Sequence, residues 1–141
     1  MRDFGDPEAL NVLNLLESPF TEVVEHVING DLSSENCKFK KECTFTVYVV
    51  TKEYAVADSK EPCIFSLNRK GIEEKGAKIY FANAKNVNGD TYSSVSNSRL
   101  FAVVTSGDTL SEAKEKAYNA MEGNIDENLD YRRDIGNIYK H

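Results

Sequence analysis

The chain has 141 residues, 40% of them hydrophobic and 28% charged, enough for one domain with its own core that buries roughly two-thirds of its surface on folding. Its formal net charge of −6 argues against a nucleic-acid-binding role, because a surface that neutralises phosphates needs a net basic face. Three cysteines, Cys37, Cys43 and Cys63, with no Cys-x-x-Cys spacing and only His26 and His141 to accompany them, make neither a zinc site nor a disulfide framework.

Residues 6–30 read as two helical pieces. Each is opened by an N-cap, Asp6 or Ser18, with Pro7 or Pro19 at the first helical position, where a missing N–H costs nothing. Leu10, Leu13 and Leu16, then Phe20, Val23, Val24 and Val27, recur at three- and four-residue spacing, the pattern of one buried face. Gly30 supplies the stop. Lys38, Lys40 and Lys41 form the densest basic cluster, which suits a solvated strand edge.

The period then changes. Phe45, Val47 and Val49 alternate with Thr44, Thr46 and Tyr48, so residues 42–50 are expected to form a strand with one buried face. Further strands are expected at 63–65, 78–84, 91–95 and 99–105, with a loop or short helical turn at 66–76. Asn88-Gly89 lies between two of these strands and suits a tight hairpin turn. Thr109-Leu110-Ser111-Glu112 is a capping box that opens a helix running to about Glu122, with Leu110, Ala113, Ala117, Ala120 and Met121 as its packing face. Gly123 ends it, and the tail beyond is expected to dock through Tyr131, Ile135, Ile138 and Tyr139. Strands followed by a helix imply an α+β fold with a mostly antiparallel sheet.

Generic catalytic signatures are missing from the sequence. There is no Gly-x-Ser-x-Gly, no His-Glu-x-x-His and no phosphate-binding glycine loop ending in Lys-Ser/Thr. His26 has Glu22, Glu25 and Asn29 as helical neighbours and reads as a solvated surface residue rather than a general base. No apolar run approaches the ~20 residues of a membrane-spanning helix, and the opening Met-Arg-Asp-Phe-Gly-Asp is not a signal peptide. A cytoplasmic, reduced setting is the expectation.

Three segments in order carry a family resemblance. Phe4-Gly5-Asp6-Pro7-Glu8-Ala9, with Asn11-Val12-Leu13 following, resembles the Arg-Phe-Gly-Asp-Pro-Glu segment that closes the ATP-grasp domain of phosphoribosylamine-glycine ligases. Ser98-Arg99, running into Phe101-Ala102-Val103-Val104 and Asp108-Thr109-Leu110-Ser111-Glu112-Ala113, is similar to the Gly-Gly-Arg strand and Asp-Thr-Leu-x-Glu-Ala helix start of the family's last domain. Tyr131-Arg132-Arg133-Asp134-Ile135-Gly136 resembles its Tyr-Arg-x-Asp-Ile-Gly. Asn97 and Ser98 stand where the family has paired glycines, and Glu53-Tyr54-Ala55 where it often has Gly-Tyr-Pro.

The resemblance implies a boundary. Residues 1–32 would be the closing helices of an ATP-grasp domain, and 33–141 the ligase C-terminal domain, mostly β with a rudimentary hybrid-barrel motif. It also implies an activity, the MgATP-dependent joining of glycine to phosphoribosylamine in purine biosynthesis. The ATP and metal ligands would lie upstream of this chain, which alone would be inactive and would have the rest of the ligase as its partner. The implied substrate-binding residues are Gly5, Asp6, Pro7 and Glu8, whose helix start could cradle an anion, and Arg99, which could equally snorkel to solvent. Arg132, Arg133 and Asp134 read as tail-docking ion pairs, and Tyr54 as a packed turn residue. An exposed apolar patch is expected around Leu10, Leu13 and Leu16, because these helices would normally pack on the rest of the ligase. A stand-alone binding or regulatory module of the same fold is the alternative reading.

Overall fold

Strand β1 (Cys43–Thr51) is the spine of the molecule. The computed structural model describes residues 5–54 and 61–137. Before β1 come α1 (Glu8–Leu15) and α2 (Phe20–Asn29). After it, in chain order, come β2 (Ile64–Ser66), α3 (Arg69–Glu74), β3 (Lys78–Phe81), β4 (Ala84–Asn88), β5 (Thr91–Ser94), β6 (Phe101–Gly107), α4 (Leu110–Met121) and β7 (Leu129–Tyr131). Two antiparallel sheets result, one in the order β3-β6-β1-β7 and one in the order β2-β5-β4. The α+β, mostly antiparallel class expected from the pattern is the class observed.

The larger sheet is covered on both faces. The register pairs Phe45 with Thr105, Val47 with Val103 and Val49 with Phe101, and cross-strand partners share a face. That face meets α4: Phe45 packs edge-on against Tyr118 at 5.5 Å, and the Thr105 hydroxyl donates to the Ala113 carbonyl at 2.6 Å. The opposite face, expected to be solvated, lies under α1. Asn11 accepts from the Thr44 and Thr46 hydroxyls through its backbone carbonyl and its side-chain oxygen, and Asn14 accepts from Lys78 at 2.8 Å. Thr46 is consequently buried. Threonine at these positions matches polar groups on a covering helix rather than water.

Four rings join the two sheets. Phe65 of β2 stacks on Tyr92 of β5 and on Phe101 of β6, while Phe81 of β3 contacts the same Tyr92 and Phe101, with centroids 5.1–6.2 Å apart. Offset and tilted contacts of this kind add to the area the rings bury.

Several expected details differ. The strand expected over 78–84 is β3 alone. The chain leaves it at Ala82, whose N–H bonds Leu100, and β4 begins at Ala84 to pair with β5 through the Asn88-Gly89 turn. The loop or short helical turn expected at 66–76 is, by contrast, borne out as the short helix α3, with Asn68 as its cap accepting from the Gly71 N–H. Pro7 and Pro19 occupy the cap positions themselves and no side chain caps either helix. Asp6 and Ser18 are engaged elsewhere: Ser18 accepts from the Lys38 N–H, and Asp6 turns to Tyr48 and Arg99. The buried face expected for α2 is also corrected, since α2 buries no residue.

The tail docks as expected. β7 pairs with the free edge of β1 through Tyr131 and Val49, and Ile135 packs against the core. Ile138 and Tyr139 lie outside the described residues. The ion pairs Arg132–Asp134 and Arg133–Asp130, expected to dock the tail, are exposed and lie within the tail itself, so these pairs do not tie it to the rest of the domain.

At α4 the capping box forms with one change of partner. The Thr109 hydroxyl accepts from the Glu112 N–H at 3.2 Å, while the Glu112 carboxylate accepts from the N–H of Asp108. Thr109→Ala is expected to cost about 1 kcal/mol, lowering the melting temperature by roughly 3 °C for a chain of this size. Thermal unfolding followed by circular dichroism reads that shift.

Candidate substrate site

A cleft of about 550 Å³ opens where α1, β1 and β7 meet, its walls including Pro7, Tyr48, Tyr54, Arg99 and Tyr131. Its geometry follows from β1. Tyr48 occupies the outward phase of the alternation, opposite Ala102, whose small side chain leaves room above the sheet. The turn into α1 then brings Asp6 over this position. The Asp6 carboxylate accepts a 2.6 Å bond from the Tyr48 hydroxyl and pairs at 2.9 Å with the Arg99 guanidinium, which lies 4.8 Å from the Tyr48 ring centroid.

These three groups form a closed charge arrangement at the cleft wall. Arg99 is held by a carboxylate on one side and a π-face on the other, so its fork is oriented before any ligand arrives. Its side chain remains 40% exposed, leaving donors toward the cleft.

Burial and the bond to Asp6, reinforced by the Asp6 charge and opposed by Arg99, push the Tyr48 hydroxyl up to about 12. The phenol's folded value therefore lies above its unfolded value of about 10. The stability that goes with it is fully present below pH ~10 and is lost as pH rises through ~12. Asp6→Asn removes the charge, and the Tyr48 transition, followed by ultraviolet absorbance of phenolate against a Tyr48→Phe control, is expected to move down. A transition unchanged by Asp6→Asn would show that burial alone sets it.

Of the residues singled out in the sequence, Pro7, Arg99 and Arg132 line the cleft, and Asp6, not itself a lining residue, is bonded to two that are, Tyr48 and Arg99. Gly5 and Glu8 lie beside it and not among its lining residues. The N–H groups of Ala9, Leu10 and Asn11 at the start of α1 are already bonded to the carbonyls of Gly5 and Pro7. Tyr48, Asp130 and Tyr131 were not singled out as site residues; the one available signal was the polar-face phase of Tyr48 on β1. Tyr54, expected to pack, lines the cleft and is exposed. His26 pairs with Asp31 at 2.9 Å, away from the cleft.

A second, more polar cleft of about 400 Å³ includes Glu53, Cys63, Asn97 and Asn128. Burial, then the charges of Asp126 and Glu53, push the Cys63 thiol up, which keeps it protonated and a poor nucleophile. Cys37, Cys43 and Cys63 are all free thiols. Among the described residues no three His, Cys, Asp or Glu side chains converge as a metal site, and no helix is long and apolar enough to cross a membrane.

The family described as phosphoribosylglycinamide synthetase, C domain, matches residues 44–138. The chain belongs to this family. A phosphoribosylamine–glycine ligase of Thermococcus gammatolerans is 36% identical over 133 residues, covering 94% of this chain and 28% of the relative. Ligases of Methanoregula boonei and Methanococcus maripaludis are 40% and 34% identical, covering 94% and 96% of this chain and 29% and 30% of their own lengths. The chain thus spans about three-tenths of the relatives it matches, and corresponds to their C-terminal portion.

Proposed function

We propose that this chain is the C-terminal part of a phosphoribosylamine–glycine ligase and that its Asp6–Tyr48–Arg99 cleft forms one wall of the substrate pocket. The observation that carries the reading is the match to curated ligases over 94–96% of the chain, which takes in the helical segment as well as the C domain. Residues 1–32 close the preceding ATP-grasp domain and residues 33–141 form the C-terminal domain with its rudimentary hybrid-barrel motif.

The reaction activates the glycine carboxylate as an acyl phosphate at the expense of ATP; the amine of phosphoribosylamine displaces the phosphate, giving glycinamide ribonucleotide, ADP and phosphate. Both substrates present an anion, a carboxylate or a phosphate, and the Arg99 fork suits either. Asp6 and Tyr48 orient that fork, and Pro7 shapes the cleft beside it. Gly5 and Glu8 support the turn that delivers Asp6, with the Glu8 carboxylate folding back over Gly5. The family resemblance assigns MgATP to the upstream part of the ligase. Phosphoryl transfer depends on clamping those phosphates and the metal, so the isolated chain is expected to be inactive in a cytoplasmic enzyme that needs its other portions.

The test is a graft. The C-terminal segment of the Methanoregula boonei ligase is exchanged for this chain, and glycinamide ribonucleotide formation is measured with ATP, magnesium, glycine and freshly made phosphoribosylamine. Turnover by the graft but not by the isolated chain is the expected result. A folded graft without turnover would favour a non-catalytic module, whereas an active graft indifferent to Arg99 would overturn the assignment of the cleft and leave the ligase part standing.

A further inference from the structure

The cleft beside Tyr48 is rich in cations, yet each faces a carboxylate. Arg99 pairs with Asp6 at 2.9 Å, Arg132 with Asp134 and Arg133 with Asp130. An anion approaching Arg99 therefore meets a pair that is already neutral. The rest of the lining includes Val50 and Tyr54, which offer apolar surface and no charge.

Both oxygens of the Asp6 carboxylate are engaged, Oδ2 with Arg99 and Oδ1 with the Tyr48 hydroxyl at 2.6 Å. This fixes a negative charge beside the donors that Arg99 keeps free. A second anion on the same guanidinium is repelled by the first at a separation where unit charges interact appreciably even near water. Tyr48 feels the same opposition: burial first, then the bond to Asp6 and its charge, hold the hydroxyl up at about 12 against the pull of Arg99. A free inorganic anion has nothing to set against this repulsion and the loss of its own hydration. An anion carried on an organic body does, because that body covers apolar surface such as Val50 and Tyr54.

We propose that Asp6 determines specificity by closing Arg99 to free inorganic phosphate, an inference that rests on the ligase reading above. Under that reading phosphate is a product, and a guanidinium without its carboxylate would be open to it. Asp6 touches no substrate in this role. It acts through Arg99, setting both the orientation and the charge balance of the fork.

Titration of the isolated, isotope-labelled chain with inorganic phosphate at low ionic strength, followed at the Arg99 side-chain N–H resonance, tests the proposal. Asp6→Asn is expected to bind phosphate at least about tenfold more tightly than the parent, and Asp6→Ser, a second neutral variant, should gain likewise. Asp6→Glu keeps the charge and should exclude phosphate as the parent does. The gain should shrink as salt is raised and vanish when Arg99→Gln is added to Asp6→Asn. Tyr48→Phe leaves the carboxylate in place and should not admit phosphate. Equal phosphate affinity in the parent and both neutral variants would overturn the proposal. So would a gain that survives Arg99→Gln, or one that Tyr48→Phe reproduces, which would make orientation and not charge the deciding factor. Ribose-5-phosphate serves as the anion on an organic body and should bind the parent in preference to phosphate. If it does not, while Asp6→Asn still gains phosphate, the substrate reading of the cleft fails and the exclusion of phosphate stands.

Discussion

Phe101→Ala is expected to be the most damaging single change in the molecule. Phe101 is fully buried, pairs with Val49 across the central strands, and touches both Phe65 and Phe81 in the ring cluster between the two sheets. Deleting it removes the ring's own burial and leaves a cavity walled by elements of both sheets, which cannot close without moving β2 and β3 toward β6. Phenylalanine-to-alanine changes in such settings cost about 3–5 kcal/mol, a large part of the 5–15 kcal/mol that holds a typical domain folded. Urea denaturation of the isolated chain should show the midpoint fall accordingly, with substantial unfolding before denaturant if the parent lies at the low end of that range. Ile28→Ala is the contrast: at 77% exposure it should change stability by no more than about 0.5 kcal/mol. Comparable losses for the two variants would mean that the ring cluster is not what couples the sheets.

Arg99→Ala carries the second large effect, on activity. In the grafted ligase the guanidinium is proposed to bind the substrate anion with a fork already oriented by Asp6 and Tyr48. Removing a charged hydrogen-bonding partner costs about 1.5–3 kcal/mol, which corresponds to a loss of about 10- to 150-fold in kcat/KM. The loss should fall on phosphoribosylamine or on glycine and leave the KM for ATP unchanged, because the ATP site is assigned elsewhere. Arg99→Lys keeps the charge but not the planar fork or the stacking on Tyr48, and should lie between alanine and the parent. An equal rise in KM for all three substrates would instead indicate a distorted domain, and melting of the variant separates that case, since Arg99 is partly exposed and its removal opens no core cavity.

Both predictions turn on residues whose character was readable along the chain while their partners were not. Periodicity located β1, β6 and α4 because one face of each is dictated by water: Phe45, Val47 and Val49 had to point together, as did Ala113, Ala117 and Ala120. Local chemistry located the capping box at Thr109 and the turn at Asn88-Gly89, since each depends on residues a few positions apart. The ordered resemblance at residues 4–9, 96–113 and 131–136 was enough to indicate the family.

Long-range pairing was decided only in three dimensions. Asp6 looks like a helix cap until Tyr48 and Arg99, remote in sequence, prove the stronger partners: a charged guanidinium and a partly buried phenol compete better for a carboxylate than the N–H groups at the start of α1, which Gly5 and Pro7 already satisfy. Thr44 and Thr46 look solvated until Asn11 covers them. The stripe on α2 reads as buried because periodicity reports that a face is apolar, not which molecule or segment covers it. Amphipathicity is set residue by residue, whereas its satisfaction depends on what is brought alongside, and for α2 that partner is not supplied by the described residues of this chain.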